Sequence, residues 1–274
     1  IMRIMKVRLD LSLYNLVISF FEINMPNYNM KTLVILPHLD DEFALVPLIR
    51  DFIKLNLNNI KFVFCAERNN IKKEEIYKRR HENLKSLELL GYKDKEILYL
   101  NDYFIVDDLK LYKSAQQINE FLIDYSEKFD FKQIITLNFE GGHPDHDALA
   151  LIVSRFKEER NINSFFIPAY NYQRTFLIPF SAFKPLNSQR SKFSSKSFSY
   201  FCWAKCLKIA SLYTTERKAF IKLLPFIIFK TLLSKKIYLT TDIDTSSVCK
   251  QKSFTNNRYN VGYIEIFKSI EAIK

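Results

Sequence analysis

Histidine and aspartate cluster at two places in this chain, about a hundred residues apart. The first cluster, in the stretch PHLDDE, contains His38, Asp40 and Asp41, and the second, in GGHPDHD, contains His143, Asp145 and His146. Three of the four histidines in the sequence therefore lie beside carboxylates. Two imidazoles and a carboxylate form a three-ligand set for a catalytic divalent metal and leave one position for water. Zinc fits these ligand types best, and Fe2+, Co2+ or Mn2+ could occupy the same set.

The two clusters also contain more polar groups than a metal needs. A bound dication lowers the pKa of its water toward ~7, and a carboxylate that is not a ligand can then accept the proton as hydroxide attacks a carbonyl. Asp40 and Asp41 could divide these tasks, one as ligand and one as base, because neighbours in a turn point in different directions. His143 and His146 are three residues apart, so at the start of a helix one can bind metal while the other stabilises an oxyanion, held by a carboxylate such as Asp145.

Short apolar runs alternate with helical patterns from residue 31 onward. The first cluster follows the run Leu33 to Leu36, which is typical of a buried parallel strand. Further strands are predicted at residues 60–66, 96–100, 133–138 and 165–170, and helices at 43–55, 74–90, 113–125 and 144–156. Gly91 is expected to cap the second of these helices and Pro144 to lie in the first turn of the fourth. The alternation predicts an α/β fold with a mostly parallel sheet, helices on both faces, and an active site at the C-terminal ends of the strands.

The domain organisation is predicted to be simple. Residues 1–30 are interpreted as an N-terminal extension and residues 31–274 as a single domain. The apolar run in the extension resembles a secretory signal, but Asn15 and Glu22 interrupt it and no small-residue cleavage site follows. The Ser-rich stretch 188–199 is interpreted as a linker within the domain.

The net charge of +11 is located in one part of the chain. The block from Phe183 to Thr240 holds twelve Lys and Arg against one acidic residue, and the rest is neutral. This favours an anionic partner, namely phosphate groups, an acidic membrane surface or nucleic acid, over a basic face that only contacts solvent. Within the block, residues 219–233 are apolar but too short and too charged for an ordinary transmembrane helix, so a core helix and an interfacial membrane helix both remain open.

The four cysteines form no paired CxxC knuckles, which favours reduced thiols in a cytoplasmic protein.

The two clusters resemble the signature motifs of a known family. PHLDDE and GGHPDHDA are similar to the two motifs of the LmbE-like (PIG-L) N-deacetylases, metal-dependent enzymes that remove acetyl groups from N-acetylglucosamine-type sugars on a Rossmann-like fold. The pair Arg79 and Glu82, ahead of Leu90, resembles the helix after the second strand of the family. The segment from Lys208 to Glu216 resembles a C-terminal KxxALxxYxSQ segment, and YNVGYIEIF resembles family tails. The resemblance extends over roughly residues 31–270.

The resemblance implies roles for the clustered residues by their position in the motifs. It implies a zinc site formed by His38, Asp41 and His146. It further implies that Asp40 is the general base. His143, oriented by Asp145, would polarise the amide carbonyl or protonate the leaving amine.

The sequence departs from the family pattern at three places. Leu39 replaces the usual Pro of the first motif, and Phe43 begins a stretch that replaces a small, Gly-rich continuation. The loop AERNN after the second strand lacks the usual Thr-x-Gly form. Because that loop borders the sugar site in the family, its Arg68 is a candidate for substrate contact.

The residues and the resemblance together predict a zinc-dependent hydrolase that removes the acetyl group from an N-acetylated amino sugar. The basic block implies a sugar carried on phosphate, either a nucleotide or a lipid, and a cytoplasmic protein in peripheral contact with the anionic inner face of the membrane. The alternative is a catalytically degenerate family member that binds anionic lipid or nucleic acid through the block, but the intact metal-ligand residues argue against it. A nucleotide-cofactor enzyme is disfavoured because no GxGxxG follows the first strand. The sequence predicts neither the identity of the sugar nor an oligomeric state.

Overall fold

The centre of the fold is a parallel sheet of five strands. In a computed structural model of the protein these strands are β1 (Thr32–Leu36), β2 (Ile60–Phe64), β3 (Ile97–Tyr99), β4 (Gln133–Leu137) and β5 (Asn163–Ile167). Their order is β3-β2-β1-β4-β5, and every neighbouring pair is parallel. The predicted α/β fold with a parallel sheet is therefore confirmed.

The structure describes most of the chain with several gaps. The described residues are 25–56, 59–68, 70–93, 97–171, 173, 181–229, 232, 234–246 and 262–273, with the backbone alone at 56 and 200–203. Most of the predicted N-terminal extension, residues 1–30, lies outside them.

Helices cover both faces of this sheet. They are α1 (Val46–Asn56), α2 (Lys73–Leu90), α3 (Ala115–Phe129), α4 (Pro144–Arg160), α5 (Tyr200–Leu212), α6 (Arg217–Phe229) and α7 (Tyr263–Glu271). Alternate residues of a strand point to opposite faces, and both faces of β1 are buried. Val34 and Leu36 join the core under α1, α2, α5 and α6, whereas Leu33 and Ile35 join the core under α3, α4 and α7.

Two of the predicted helix ends are confirmed and one is shifted. Gly91 ends α2 in the left-handed region, with φ of 102°. Pro144 lies at the start of α4, where its missing N–H is not needed. The helix predicted from residue 43 begins instead at Val46, which places Pro47 in the first turn. The preceding residues, Asp41–Leu45, form a 3-10 helix.

The sequence beyond β5 forms two small antiparallel sheets. One pairs β6 (Tyr170–Asn171) with β7 (Ser181–Ala182), and the other pairs β8 (Ser194–Ser197) with β9 (Lys236–Leu239). The prediction that residues 188–199 form a linker is therefore wrong. The partner strand of β8 follows about forty residues later in the chain, so the local Ser-rich composition does not reveal the pairing.

Helix α6 contains most of the apolar segment 219–233. Phe220 and Ile227 are buried, while Ile221 and Leu224 are exposed, so the helix contributes to the core on one side only. None of the described helices is both long enough and apolar enough to cross a membrane.

A buried glutamate joins α2 to the turn before α6. The Glu82 carboxylate accepts hydrogen bonds from the backbone N–H of Thr214 (3.1 Å) and from its Oγ1 (2.6 Å). Its other oxygen accepts from the N–H and Oγ1 of Thr215, at 3.4 and 2.5 Å. Glu82 thereby fixes the position of Glu216, the next residue of the turn.

Replacing Glu82 by Ala is expected to lower the free energy of unfolding by about 2 kcal/mol, because it leaves buried donors unsatisfied. Denaturant unfolding followed by circular dichroism measures this change. Lys85→Ala, an exposed position on the same helix, is the control and should stay close to wild type. Equal stability of the two variants would contradict the assigned contact.

Candidate active site and metal centre

The two His/Asp clusters meet at the C-terminal edge of the sheet. The first follows β1 and the second follows β4, and these strands are neighbours, with Val34 beside Ile135. A cavity of about 880 Å³ opens at this edge, and His38, Asp40, Asp41 and His143 are among its lining residues. The structure thus brings together the residues that the sequence predicts as one site.

His38 contacts carboxylates from both clusters. Its backbone N–H and its Nδ1 each lie close to Asp41 Oδ2, at 2.9 and 3.0 Å. Its Nε2 lies 3.0 Å from Asp145 Oδ2 and 3.4 Å from Asp108 Oδ1. Burial alone would lower the pKa of His38, but the charge of Asp41 and the hydrogen bonds to the three carboxylates raise it well above its ordinary value.

Asp41 lies between two imidazoles. One carboxylate oxygen contacts His38, and the other lies 3.2 Å from Nε2 of His146. Burial would raise the pKa of Asp41, yet the charges and hydrogen bonds of His146 and His38 hold it far below its ordinary value. The three predicted metal ligands are therefore in mutual contact through an ionised carboxylate.

The second cluster is held in place by hydrogen bonds to loop backbone. Asp147 Oδ1 accepts from the N–H groups of Glu140 (2.8 Å) and Gly141 (3.0 Å), which fixes the loop before the cluster. The Asp145 carboxylate is completely buried and accepts from the N–H groups of Leu109 (2.7 Å) and Leu111 (3.0 Å). It therefore connects the loop after β3 to the start of α4.

His143 is oriented by the backbone of Asp145. It is the N-cap residue of α4, and its Nδ1 accepts a hydrogen bond from the Asp145 N–H at 3.2 Å. The sequence-based expectation is that the Asp145 carboxylate holds His143, but this carboxylate contacts the His38 ring, and the hydrogen bond of Asp145 to His143 comes from its peptide N–H. An accepting Nδ1 places the proton of the neutral ring on Nε2. Burial, followed by the charges of His38 and His146, lowers the pKa of His143 well below its ordinary value, which favours this neutral ring.

Asp40 lies at the cavity surface beside a cation. Its side chain is 24% exposed, and its Oδ1 is 3.9 Å from Nη2 of Arg79. Burial and the charge of Asp41 raise the pKa of Asp40 to about 6, against the opposing effect of Arg79. A carboxylate with a pKa near neutrality is suited to accept a proton as a general base.

Arg68 lines the cavity as part of an ion-pair network. Its Nε lies 3.1 Å from Asp108 Oδ2, and its Nη1 lies 3.1 Å from Glu216 Oε1, the same oxygen that Arg79 approaches at 3.1 Å. This network joins residues from three loops around Asp40. Arg68 is thus placed to meet a bound molecule, although two acidic partners already compensate its charge.

Sequence reasoning did not assign site roles to Asp108, Arg79, Glu216 or Tyr170. Asp108 follows the third strand, so its position after a parallel strand was the available signal. Arg79 and Glu216 stand in the segments that resemble the family but are 137 positions apart, and only the fold shows their ion pair. Tyr170, which lines the cavity with its ring centroid 5.1 Å from that of His146, stands at the end of the strand predicted at 165–170, and this position was the available signal.

Glu140 positions the loop that carries Tyr170. Its carboxylate accepts from the N–H of Ala169 at 2.9 Å and from Asn171 Nδ2 at 3.4 Å. Burial raises the pKa of Glu140 to about 8.

The lining of the cavity also includes apolar side chains and lysines. The apolar side chains include Phe43, Phe183, Phe220 and Leu223. The lysines among the lining residues are Lys110, Lys218 and Lys222. The cavity can therefore accept a molecule that has polar, apolar and anionic parts.

The donor atoms of the site fit a divalent metal. Among the described residues, one donor atom each from His38, His143 and His146 lie within 4.8 Å of one another, as do those of His38, Asp108, His143 and Asp145. Asp41 contacts two of these histidines directly. Imidazole and carboxylate donors at this density suit zinc and related transition metals.

Gly142 is required by a close approach of two loops. A Cβ atom at this position would lie 2.0 Å from the backbone oxygen of Tyr170.

Gly142→Ala is therefore expected to displace the loop before His143 and to reduce turnover by about a hundredfold. Gly262→Ala, where a Cβ would meet nothing within 4 Å, is the matched control. Steady-state kinetics of both variants test this, and wild-type turnover in Gly142→Ala would contradict it.

The part of the chain that contains both clusters matches a known family model. Residues 33–157 match the family model PIG-L, described as GlcNAc-PI de-N-acetylase, and these residues include both clusters. No curated protein matches the chain.

Solved structures with similar folds include three deacetylases. N,N'-diacetylchitobiose deacetylase from Pyrococcus horikoshii is 16% identical with a TM-score of 0.52, over 90% of this chain and 97% of that one. The A40926 pseudoaglycone deacetylase Dbv21 is 14% identical with a TM-score of 0.50, over 77% and 96% of the two chains. The zinc-inhibited form of teicoplanin deacetylase Orf2 is 10% identical with a TM-score of 0.48, over 78% and 99%. At these identities the likeness to the chitobiose deacetylase and to Dbv21 shows the fold alone. Residues 33–157, just under half of the chain, are thus similar to the PIG-L family, and they contain both His/Asp clusters.

Proposed function

We propose that this protein removes the acetyl group from an N-acetylated amino sugar by metal-dependent hydrolysis. The observation that carries the proposal is the contact of Asp41 with both His38 and His146, at a large cavity that is also lined by the partly exposed carboxylate of Asp40. The PIG-L match supports an N-acetyl substrate.

His38, Asp41 and His146 are the proposed metal ligands, with Zn2+ as the first choice and Fe2+, Co2+ or Mn2+ as alternatives. A dication bound there would acidify a water and polarise the amide carbonyl. The ionised state of Asp41, which its two histidine neighbours stabilise, is the state a ligand needs.

Asp40 is the proposed general base. Its carboxylate faces the cavity and can accept the proton of the attacking water, since its pKa of about 6 lies close to neutral pH. Arg79 approaches the same carboxylate and, through its pair with Glu216, holds it at one side of the site.

His143 is the proposed partner of the acyl oxygen. Its Nδ1 already accepts a hydrogen bond, so the neutral ring has its N–H at Nε2 to donate to the oxygen as negative charge develops. The same ring can then deliver a proton to the leaving amine. Asp145 supports both histidines, through its N–H to His143 and through its carboxylate to His38.

The proposed substrate carries phosphate beside the sugar. Lys110, Lys218 and Lys222 line the same cavity as residues of the His/Asp clusters, and the lining also contains apolar side chains. A nucleotide-linked or lipid-linked N-acetyl sugar combines these chemical parts, and Arg68 is the proposed further contact. We place the reaction in the cytoplasm, at the inner face of the membrane if the carrier is a lipid.

The alternative of a binding module without catalysis is not favoured. A degenerate site would have lost donors, whereas all six predicted site residues of the two clusters lie together here. Nucleic acid is not a proposed partner.

Asp40→Asn is expected to reduce acetate release by a factor of roughly 10² to 10⁴, because proton transfer to a positioned base is lost. Bound metal, measured by elemental analysis of purified protein, should stay at the wild-type level. Asp124→Asn, an exposed position on α3, is the control. Wild-type turnover in Asp40→Asn would disprove the assignment of the base, and metal-free wild-type protein without activity would favour the binding module.

The phosphate carrier can be tested with the double variant Lys218→Gln/Lys222→Gln. Losing two cations at the cavity should raise the KM for phosphate-linked N-acetylglucosamine, relative to the KM for the free sugar, roughly tenfold. Acetate release from N-acetylglucosamine, its 1-phosphate and its uridine diphosphate conjugate gives the ratios. Lys54→Gln, an exposed lysine on α1, is the matched control. An unchanged ratio would show that these lysines do not meet phosphate.

A further inference from the structure

Helix α6 has an apolar surface on the side that faces away from the core. Phe220 and Ile227 are buried, but Ile221, Leu224 and Ile228 are 59%, 40% and 42% exposed. Phe229 at the end of the helix is 40% exposed as well. A helix on the surface of a globular protein normally carries polar residues on this side.

The apolar surface is concentrated rather than scattered. Of eleven large apolar or aromatic side chains that are exposed among the described residues, four lie on this helix of thirteen residues. Leu232 lies just beyond it, and Leu207 lies on α5, which packs against α6. Contiguous exposed apolar surface of this kind marks an interaction site, whereas single exposed residues do not.

The same helix is basic. Arg217, Lys218 and Lys222 are exposed, and the helix contains no acidic residue. The one acid of the surrounding block, Glu216, is paired with Arg68 and Arg79. The positive charge around the apolar surface is therefore not compensated by acids of this block.

We propose that the exposed face of α6 docks onto an anionic phospholipid bilayer. Thirteen helical residues span about 20 Å, which suits a helix lying in the plane of the interface rather than crossing it. In this orientation Ile221, Leu224 and Ile228 enter the boundary between headgroups and acyl chains. Lys218 and Lys222 remain at the level of the lipid phosphates.

Charge argues against a second copy of the chain as the occupant of this face. A symmetric dimer would bring two copies of the same basic surface together, and like charges at an interface are costly. Nucleic acid would use the cations but leave the apolar side chains between them without a partner. A bilayer with anionic headgroups satisfies both kinds of residue.

Docking of this face would place the cavity at the bilayer surface. Residues 218–220, 222 and 223 of α6 line the cavity, while 221, 224 and 228 form the exposed face. One helix therefore separates the site from the membrane, and a lipid-linked substrate could enter without leaving the interface. Membrane docking itself does not require that the proposed deacetylation is correct.

Co-sedimentation with lipid vesicles tests the proposal, using the full chain without substrate. The wild-type protein should bind vesicles of phosphatidylcholine and phosphatidylglycerol in equal parts, and bind pure phosphatidylcholine much less. Ile221→Ser/Ile228→Ser should lower the partition coefficient roughly tenfold or more, since the protein loses two isoleucine side chains that would enter the bilayer. The matched control Leu55→Ser/Ile105→Ser removes two side chains that are 64% and 71% exposed elsewhere, and it should bind as wild type. Thermal melts confirm that both pairs remain folded.

Three outcomes would overturn the proposal. The first is absence of wild-type binding to the mixed vesicles, and the second is an equal loss in both variant pairs. The third is a wild-type dimer, seen by sedimentation, that is lost in the Ile221/Ile228 variant and kept in the control variant. The exposed face of α6 would then bind a second copy of the chain. If the α6 variant fails to fold, the binding of the wild-type protein to the mixed vesicles is measured at increasing salt concentrations. The proposal requires that this binding weakens as ionic strength rises. Acetate release is measured separately, so failure of the deacetylase proposal would be seen on its own.

Discussion

The parallel pairing of β1 with β4 is the constraint on which the site depends. From β1 the chain moves outward to β2 and β3, then returns to place β4 on the other side of β1 before adding β5. The loops after β1 and β4 consequently diverge to opposite sides and leave a crevice at their C-terminal ends. Residues separated by more than a hundred positions, such as His38 and Asp145, meet there at 3.0 Å. The hydrophobic sheet thus fixes the relative positions of the two polar clusters.

Burial of so many ionisable groups is possible because they compensate one another. Asp41 is stabilised by two imidazoles and Asp145 by two peptide N–H groups, so neither carboxylate is left without polar partners. Asp40 lies 3.9 Å from the Arg79 guanidinium and has part of its surface in solvent, and its pKa is raised toward neutrality, whereas the pKa of Asp41 is lowered. The opposite pKa shifts of Asp40 and Asp41 follow from how completely the charge of each carboxylate is compensated.

The sequence was most informative where structure is local. The apolar runs predicted the five strands of the sheet, and Gly91 and Pro144 marked helix ends, because these signals act within a few residues. The meeting of the two clusters was predictable because parallel strands deliver their C-terminal ends to one edge. The contacts of Asp108 with His38 and of Arg79 with Glu216 were not, since they depend on how loops fold over that edge. The same holds for the pairing of β8 with β9, whose hydrogen bonds join segments with no common pattern.

The Asp145 carboxylate has a consequence for how the site works. Two peptide N–H groups from the loop after β3 and the His38 ring converge on its oxygens, and no solvent reaches it. Its dipolar surroundings are therefore set when the chain folds and need no rearrangement when a ligand arrives. The loop after β3 contains no histidine, but it contributes to the preorganisation of the site. Its peptide N–H groups fix the Asp145 carboxylate, which in turn contacts the His38 ring.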